Sequence, residues 1–432
     1  MAGLKPLTSK VALGILLVFL LSIQFSVVFV LQVNASSEEW PMFGHDNART
    51  GWSEATFANT TSAQNWEVGW SESRLDSPAV AYGYVYYKLG HVVCYDAYTG
   101  ETVWESAREA SGDVWSVAVA YGYVYTDSNG YVYALDAYTG KQVWEYALNF
   151  VIDEEDDDKN DEFYAPAVAN GIVYVGCGDY NLYAFDAYEG TKLWNYSTEA
   201  KVRSCPAISD GIVYFSSNDG NVYALDATTG TKIWSYNTGR RTQYPVESSP
   251  AVADGVVYVG SANRTVYALN AFDGSKIWST SIGGIYSAPA VAYGYVYAAD
   301  QDTVYAFDAL TGTQKWTFTH PSFAPEYSSP TVADGVVYIG ASGGDSYSGR
   351  FYALNAYTGS KIEEIEMTSK IYSTPAVAYG MVYVASSHKL YGMSSSDFTP
   401  TLPLELIAVG VAAIVIVAVA LYVYMRKRNK RP

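Results

Sequence analysis

One phrase recurs seven times along the chain: VVCYDAYTGETVW (92–104), YVYALDAYTGKQVWEY (131–146), LYAFDAYEGTKLW (182–194), VYALDATTGTKIW (222–234), VYALNAFDGSKIW (266–278), VYAFDALTGTQKW (304–316) and FYALNAYTGSKIE (351–363). Its glycines, Gly100, Gly140, Gly190, Gly230, Gly274, Gly312 and Gly359, lie 38 to 50 residues apart, with a mean of about 43. A period of that size in an all-β pattern indicates propeller blades or β-solenoid rungs, not independent domains.

Each unit has four parts. A small, Ser/Pro-led apolar run such as SSPAVA (248–253) is followed by a Gly turn and an alternating run such as VVYVGS (256–261). A variable turn then leads to VYAL-like residues, and D-A-x-x-G turns the chain into a KIW-like strand. Alternating β-branched and aromatic residues bounded by Gly, Asn and Asp are strand-and-hairpin signals. Four short strands make one blade, and no helical period interrupts residues 64–396. An eighth unit, IYSTPAVAYGMVYVASSHKLYGM (371–393), stops before its fourth strand, while QNWEVGW (64–70) is a Trp-bearing strand with no predecessors. Joining the two closes an eighth blade and removes an open sheet edge. The fold expected over 64–396 is therefore an all-β, eight-bladed β-propeller of four-stranded blades, closed by the N-terminal strand joining the last blade.

The repeated tryptophans, Trp104, Trp144, Trp194, Trp234, Trp278 and Trp316, with Trp66 in the closing strand, are expected to dock between neighbouring blades. One cofactor has no use for a set of equivalent indoles spread round a ring; a repeated joint does. The turn glycine is expected at positive φ, and the turn Asp or Asn bonds back to turn amides. Blade 7 carries Glu363 in place of Trp, which marks its joint as the weak one.

This phrase resembles the tryptophan-docking motif of the pyrroloquinoline quinone (PQQ)-dependent alcohol dehydrogenases. It resembles more widely the PQQ-like propeller family, which includes the lipoprotein propeller that scaffolds outer-membrane protein assembly. WPMFGHDNARTGWSE (40–54) is similar to the lead-in segment of PQQ-like propellers, and the resemblance covers about three-quarters of the chain. It implies the fold more strongly than an activity. The quinoproteins carry an adjacent Cys–Cys disulfide and a calcium site backed by a catalytic Asp on long loops. Here no two cysteines are adjacent and most inter-blade loops are short. No catalytic residue, cofactor or metal is therefore expected; PQQ with calcium, in a quinoprotein dehydrogenase, is the alternative.

The chain ends carry a different signal. Residues 1–35 read as a signal peptide cleaved after Ala35, or as an N-terminal anchor. Residues 36–63 form a lead-in segment. Residues 397–401 are a linker and 402–424 a transmembrane helix, whose 19 uncharged residues from 406 to 424 span about 28 Å. The basic tail 425–432 keeps the C-terminus cytoplasmic. The expectation is a single-pass cell-membrane protein with its propeller on the extracytoplasmic side. Between the two end segments stand 19 basic and 43 acidic residues, net −24, which excludes nucleic acid as a partner. Cys94, Cys177 and Cys205 read as small buried thiols, with a Cys177–Cys205 bridge as the alternative. Asn59, Asn195 and Asn263 stand in glycosylation sequons.

Length variation falls at 147–162, 236–247, 317–327 and 342–350, connections that lie on one face of a propeller. Insertions gathered on one face mark a binding side. That side includes the acidic tract VIDEEDDDKNDE (151–162), which lacks the Gly and Glu of an EF-hand. The residues just before the inner strands, Arg74, Asp113, Glu162, Arg203, Glu247 and Glu326, with Tyr286, Tyr327 and Tyr372, are the candidate binding face at the channel mouth. His45, His91, His320 and His388 show no metal spacing. The expected function is a non-catalytic binding or scaffolding module for a protein or surface polymer. Besides the dehydrogenase, a carbohydrate-binding surface protein is an alternative.

Overall fold

A short apolar strand needs a neighbour on each edge, and each repeat supplies its own. The computed structural model describes residues 52–53, 65–70, 76–107, 116–128, 130–148, 165–239, 248–261, 263–283, 287–319, 328–342 and 348–398. All belong to one compact unit, Ser37–Pro400. The N- and C-terminal apolar runs lie outside the described residues.

Eight antiparallel sheets follow one another in the chain. Blade 4 is typical, with an inner strand Ala207–Ser209, then Ile212–Ser216, Asn221–Asp226 and an outer strand Lys232–Asn237, paired in that order. The inner strands, from Ala79–Ala81 in blade 1 to Ala376–Ala378 in blade 8, neighbour one another in a closed ring. The outer strand of blade 8 is Trp66–Gly69, paired antiparallel with Lys389–Ser394 from Trp66↔Gly392 to Gly69↔Lys389. A Lys389–Glu67 ion pair at 2.8 Å and the bond from Ser394 N–H to Asn65 Oδ1 at 2.7 Å pin the closing strand. The eight-bladed closure expected from the sequence is therefore present.

Blade 7 departs from the four-stranded expectation. Its sheet has a fifth member, Trp52–Ser53 of the lead-in segment, running parallel to the inner strand Thr331–Ala333 with Trp52↔Val332 and Ser53↔Ala333. The other edge of that inner strand is already paired with Val336–Ser342, so the lead-in strand lies on the channel side. An inner strand leaves its channel edge without backbone partners, and an added strand satisfies it.

The core is unusually rich in tyrosine. The largest fully buried side chains are Tyr86, Tyr87, Tyr125, Tyr174, Tyr214, Tyr258, Tyr297, Tyr338, Tyr352 and Tyr383. Each blade's second strand supplies one at the same register. In seven blades that ring tilts against the outer-strand Trp of its own blade with centroids 5.8–6.1 Å apart.

Two faces result from the winding. The first-to-second and third-to-fourth turns lie on one, here the turn face. Inter-blade connections and second-to-third turns lie on the other, the loop-rich face.

Candidate functional site

The repeated residues come first, because what they leave over is what binding can use. Each Trp reaches the next blade's D/N-A-x-x-G turn and donates its Nε1–H to the turn Ala carbonyl. The bonds run Trp66 to Ala97 (3.1 Å), Trp104 to Ala137 (3.0 Å), Trp144 to Ala187 (3.0 Å), Trp194 to Ala227 (3.2 Å), Trp234 to Ala271 (2.8 Å), Trp278 to Ala309 (2.8 Å) and Trp316 to Ala356 (2.9 Å). In six joints the second-strand Tyr hydroxyl donates to the same oxygen, as Tyr214 does to Ala271 at 3.1 Å. The turn glycine lies flat on the indole. At Gly230, φ is +70°, and a Cβ would stand 2.7 Å from the Trp194 ring. Glycine is thus required twice over, by backbone and by contact. The turn Asp caps its own turn, Asp136 Oδ1 accepting from Tyr138 N–H at 3.1 Å and Thr139 N–H at 2.8 Å.

The Ser and Thr residues before the inner-strand prolines are spent in the same way. Around the channel, Ser77 N–H donates to Ser116 Oγ, Cys205 N–H to Ser249 Oγ, Ala288 N–H to Ser329 Oγ, Ser329 N–H to Thr374 Oγ1, and Thr374 N–H to Ser77 Oγ, at 2.9–3.3 Å. They form a hydroxyl collar that links inner strands blade to blade.

On the loop-rich face, blades 3, 4 and 6 carry an acid–tyrosine latch across the second-to-third turn. Tyr183 donates to Asp179 (2.5 Å), Tyr223 to Asp219 (2.6 Å) and Tyr305 to Asp300 (2.8 Å). Burial first, then the carboxylate acceptor, pushes these phenols up, Tyr305 to about 12. Blade 5 uses an amide, Asn263 Nδ2 donating to Tyr267 Oη at 2.7 Å and also to the Thr238 carbonyl. The Asn263 sequon nitrogen is thus engaged; Asn195 is exposed, and its Nδ2 donates to Asn181 Oδ1 at 3.1 Å.

Of the candidate channel-mouth residues, the structure describes Arg203 and Tyr372. Both are half-buried, at the entry to the inner strands of blades 4 and 8, and Lys370 Nζ lies 6.0 Å from the Tyr372 ring centroid. Arg74, Asp113, Glu162, Glu247, Glu326, Tyr286 and Tyr327 lie outside the described residues, as do the acidic tract 151–162 and Asn59. Cys94, Cys177 and Cys205 are free and buried, and burial pushes the Cys94 and Cys177 thiols up. Among the described residues, no three His, Cys, Asp or Glu side chains stand close enough to hold a metal.

A second set of contacts, on the turn face, escaped the sequence reading. The first-to-second turns place a non-glycine residue at positive φ in every blade, Asn or Asp in four and Tyr82, Tyr121, Tyr293 and Tyr379 in the others. A tyrosine there costs about 1–2 kcal/mol. Each one reaches the next blade, its Oη accepting the turn N–H of Gly122, Gly171, Gly335 or Gly83 at 2.9–3.0 Å. Each ring also packs on the next blade's turn tyrosine: Tyr82 on Tyr138, Tyr121 on Tyr188, Tyr293 on Tyr357 and Tyr379 on Tyr98, at 5.2–6.0 Å. The signal was present in the sequence, since Y-G in one unit always precedes D/N-A-Y in the next.

A family model described as outer membrane protein assembly factor BamB matches residues 55–149, 88–248, 218–348 and 325–398. No curated protein sequence matches the chain. Among solved structures, the chain is similar to BamB from Moraxella catarrhalis, at 18% identity over 76% of this chain and 98% of that one, with a TM-score of 0.60. It is also similar to the quinohemoprotein alcohol dehydrogenase from Comamonas testosteroni, at 17% identity over 87% and 83% of the two chains, with a TM-score of 0.67. A europium-containing methanol dehydrogenase matches at 15% identity over 83% and 91%, with a TM-score of 0.68. At these identities the likeness is one of fold, and that fold carries both an assembly factor and dehydrogenases.

Proposed function

The chain belongs to the family of the outer membrane protein assembly factor BamB, and from that premise we propose that it is a membrane-anchored, extracytoplasmic propeller that binds or scaffolds a protein or surface polymer without catalysis. The observation that carries this reading is the use made of the repeat: its tryptophans, its turn Asp and Asn residues and its collar hydroxyls are spent on joints, turns and inner-strand contacts. Binding is left to what varies between blades, and in this chain that is the loop-rich face. The apolar run 402–424 followed by the basic tail 425–432 supports the anchor.

Quinone chemistry is the second reading, favoured by the alignment of two dehydrogenases over more than four-fifths of the chain. One feature weighs against it: the lead-in strand Trp52–Ser53 takes the channel side of blade 7, within the space that a central cofactor would share.

The experiment exchanges the parts of the connections 147–162 and 236–247 that lie beyond the outer strands, 149–162 and 240–247, for the shorter connection between blades 3 and 4, in the full chain. The expected result is an unchanged melting temperature with loss of the partner cross-linked in native membranes. Retention of that partner by the exchanged chain sinks the loop-face assignment. Saturable binding of PQQ with calcium, accompanied by a raised melting temperature, decides for the dehydrogenase.

A further inference from the structure

We infer that the turn face is a lipid-contacting surface, seated in the headgroup zone of the bilayer; this rests on the membrane anchoring proposed above. Two independent features of the fold meet on that face.

The first is its chemistry. The tips of five third-to-fourth turns carry Tyr98, Tyr138, Tyr188, Phe272 and Leu310, which are 41%, 54%, 51%, 62% and 78% exposed. The aliphatic second residue of the adjoining outer strand is nearly half exposed too, as at Val143 and Ile233. Among the described residues, every exposed large hydrophobic except Tyr131 and Tyr180 lies in these turns, in the first-to-second turns beside them, or at this end of an outer strand. Apolar side chains gathered on one face mark a surface that something covers. Tyrosine, with an apolar ring and a polar tip, suits the boundary between lipid and water. Exposed Lys141, Lys192, Lys232 and Lys276 stand at the same level in blades 2 to 5, where a lysine stem runs along apolar surface while its ammonium group reaches a headgroup phosphate. The same turns also carry Asp136, Asp186, Glu189, Asp226 and Asp273, so apolar side chains and not net charge seat the face.

The second feature is where the chain leaves. The third strand of blade 8, Lys389–Ser394, runs from the loop-rich face to the turn face. Ser395 then bonds to the turn glycine Gly380 through both its N–H and its hydroxyl, at 3.0 and 2.8 Å, and Phe398 tucks in behind it, 3% exposed. From there residues 399–405 reach at most about 25 Å before the apolar run begins at 406. A tether that short leaves from the aromatic face and brings that face within reach of the bilayer.

The test uses the full chain in phosphatidylcholine vesicles. The native cysteines are buried, so one introduced surface cysteine takes a thiol-reactive bimane by itself. Blade 6 supplies a matched pair, Leu310→Cys on the turn face and Gln301→Cys on the loop-rich face, both positions exposed. Spin-labelled phosphatidylcholine headgroups are expected to quench the label at 310 about twofold or more above that at 301. Equal quenching at both sites in vesicle-bound chain overturns the assignment and leaves the aromatic turns to a protein partner or a freely turning propeller. Stronger quenching at 301 overturns it as well. A chain that does not float with the vesicles in high salt overturns the anchoring itself, an outcome distinct from the other two.

Discussion

Seven joints between blades are copies of one another, and the seam between blades 7 and 8 is built from different residues. At a copied joint, Trp Nε1 of one blade meets the turn Ala carbonyl of the next, with glycine flat on the indole. At the seam both halves are missing. Blade 7 has Glu363 where the Trp would stand, and blade 8 has no D-A-x-x-G turn because its outer strand arrives from the other end of the chain. Ser395 takes the Ala position, but its carbonyl accepts from the Phe398 N–H at 3.0 Å. Phe398 closes the seam instead, edge-on to Tyr338 at 5.6 Å and to Phe351 at 6.0 Å. Glu363 was expected to mark a weak joint. It marks a joint of another kind, since a Trp there would have no turn to dock on. The cost appears at Tyr338, whose buried hydroxyl has no hydrogen-bond partner among the described residues, whereas six of its counterparts donate to an Ala carbonyl. Tyr125 in blade 2 shares that lack, although its Trp joint is intact.

Alkali should undo joints and seam together, and this is the largest effect expected. Burial holds the phenols of Tyr214, Tyr297 and Tyr338 well above the ordinary value, and that of Tyr258 up to about 12. An unfolded tyrosine ionises at about 10. The stability these groups confer is therefore complete below about pH 10 and is lost as pH rises through the folded values. Phenolate absorbance from the buried set should appear together with loss of β structure; phenolate forming in a still-folded ring would refute the burial argument.

Substitutions separate the two kinds of joint. Trp234→Ala should cost about 3–5 kcal/mol in a urea denaturation, since an indole 7% exposed leaves a cavity between blades. Gly230→Ala should cost about 2 kcal/mol or more, through its positive φ and the crowded Trp194 ring. Tyr214→Phe should lose about 1 kcal/mol, while Tyr338→Phe should be neutral or stabilising, because only the former forfeits a bond. Equal losses in those two variants would erase the distinction drawn here. Smallest of all, Glu363→Trp should change stability by less than about 0.5 kcal/mol. A gain approaching the Trp234 loss would mean that the seam can take the repeated joint after all.

The ring contains a subtler contrast in the same terms. Tyrosine clasps on the turn face join blades 8 to 1, 1 to 2, 2 to 3 and 6 to 7, whereas blades 3, 4 and 6 tie their own loop-rich turns with acid–tyrosine latches. Both patterns can be written down from the sequence once the geometry is known. They were not legible beforehand, because Y-G and D-G turns look interchangeable until the neighbour each side chain touches is known.

What the sequence determined by itself was the plan of the repeat. The period, the four strands per unit, the glycine at positive φ, the tryptophan as a joint and the closure through Trp66 follow from local rules, and repetition states each rule seven times over. What only the tertiary structure decided was where two distant or single segments meet. The lead-in strand Trp52–Ser53 against blade 7, the hydroxyl collar, the Phe398 seal and the gathering of exposed aromatics on the face where the chain leaves are of this kind. The channel-mouth residues belong here as well: they are expected at a common rim from the sequence, and of the nine the structure describes Arg203 and Tyr372, at the entry to the inner strands of blades 4 and 8. A period encodes contacts between like positions, and carries no information about a contact made only once.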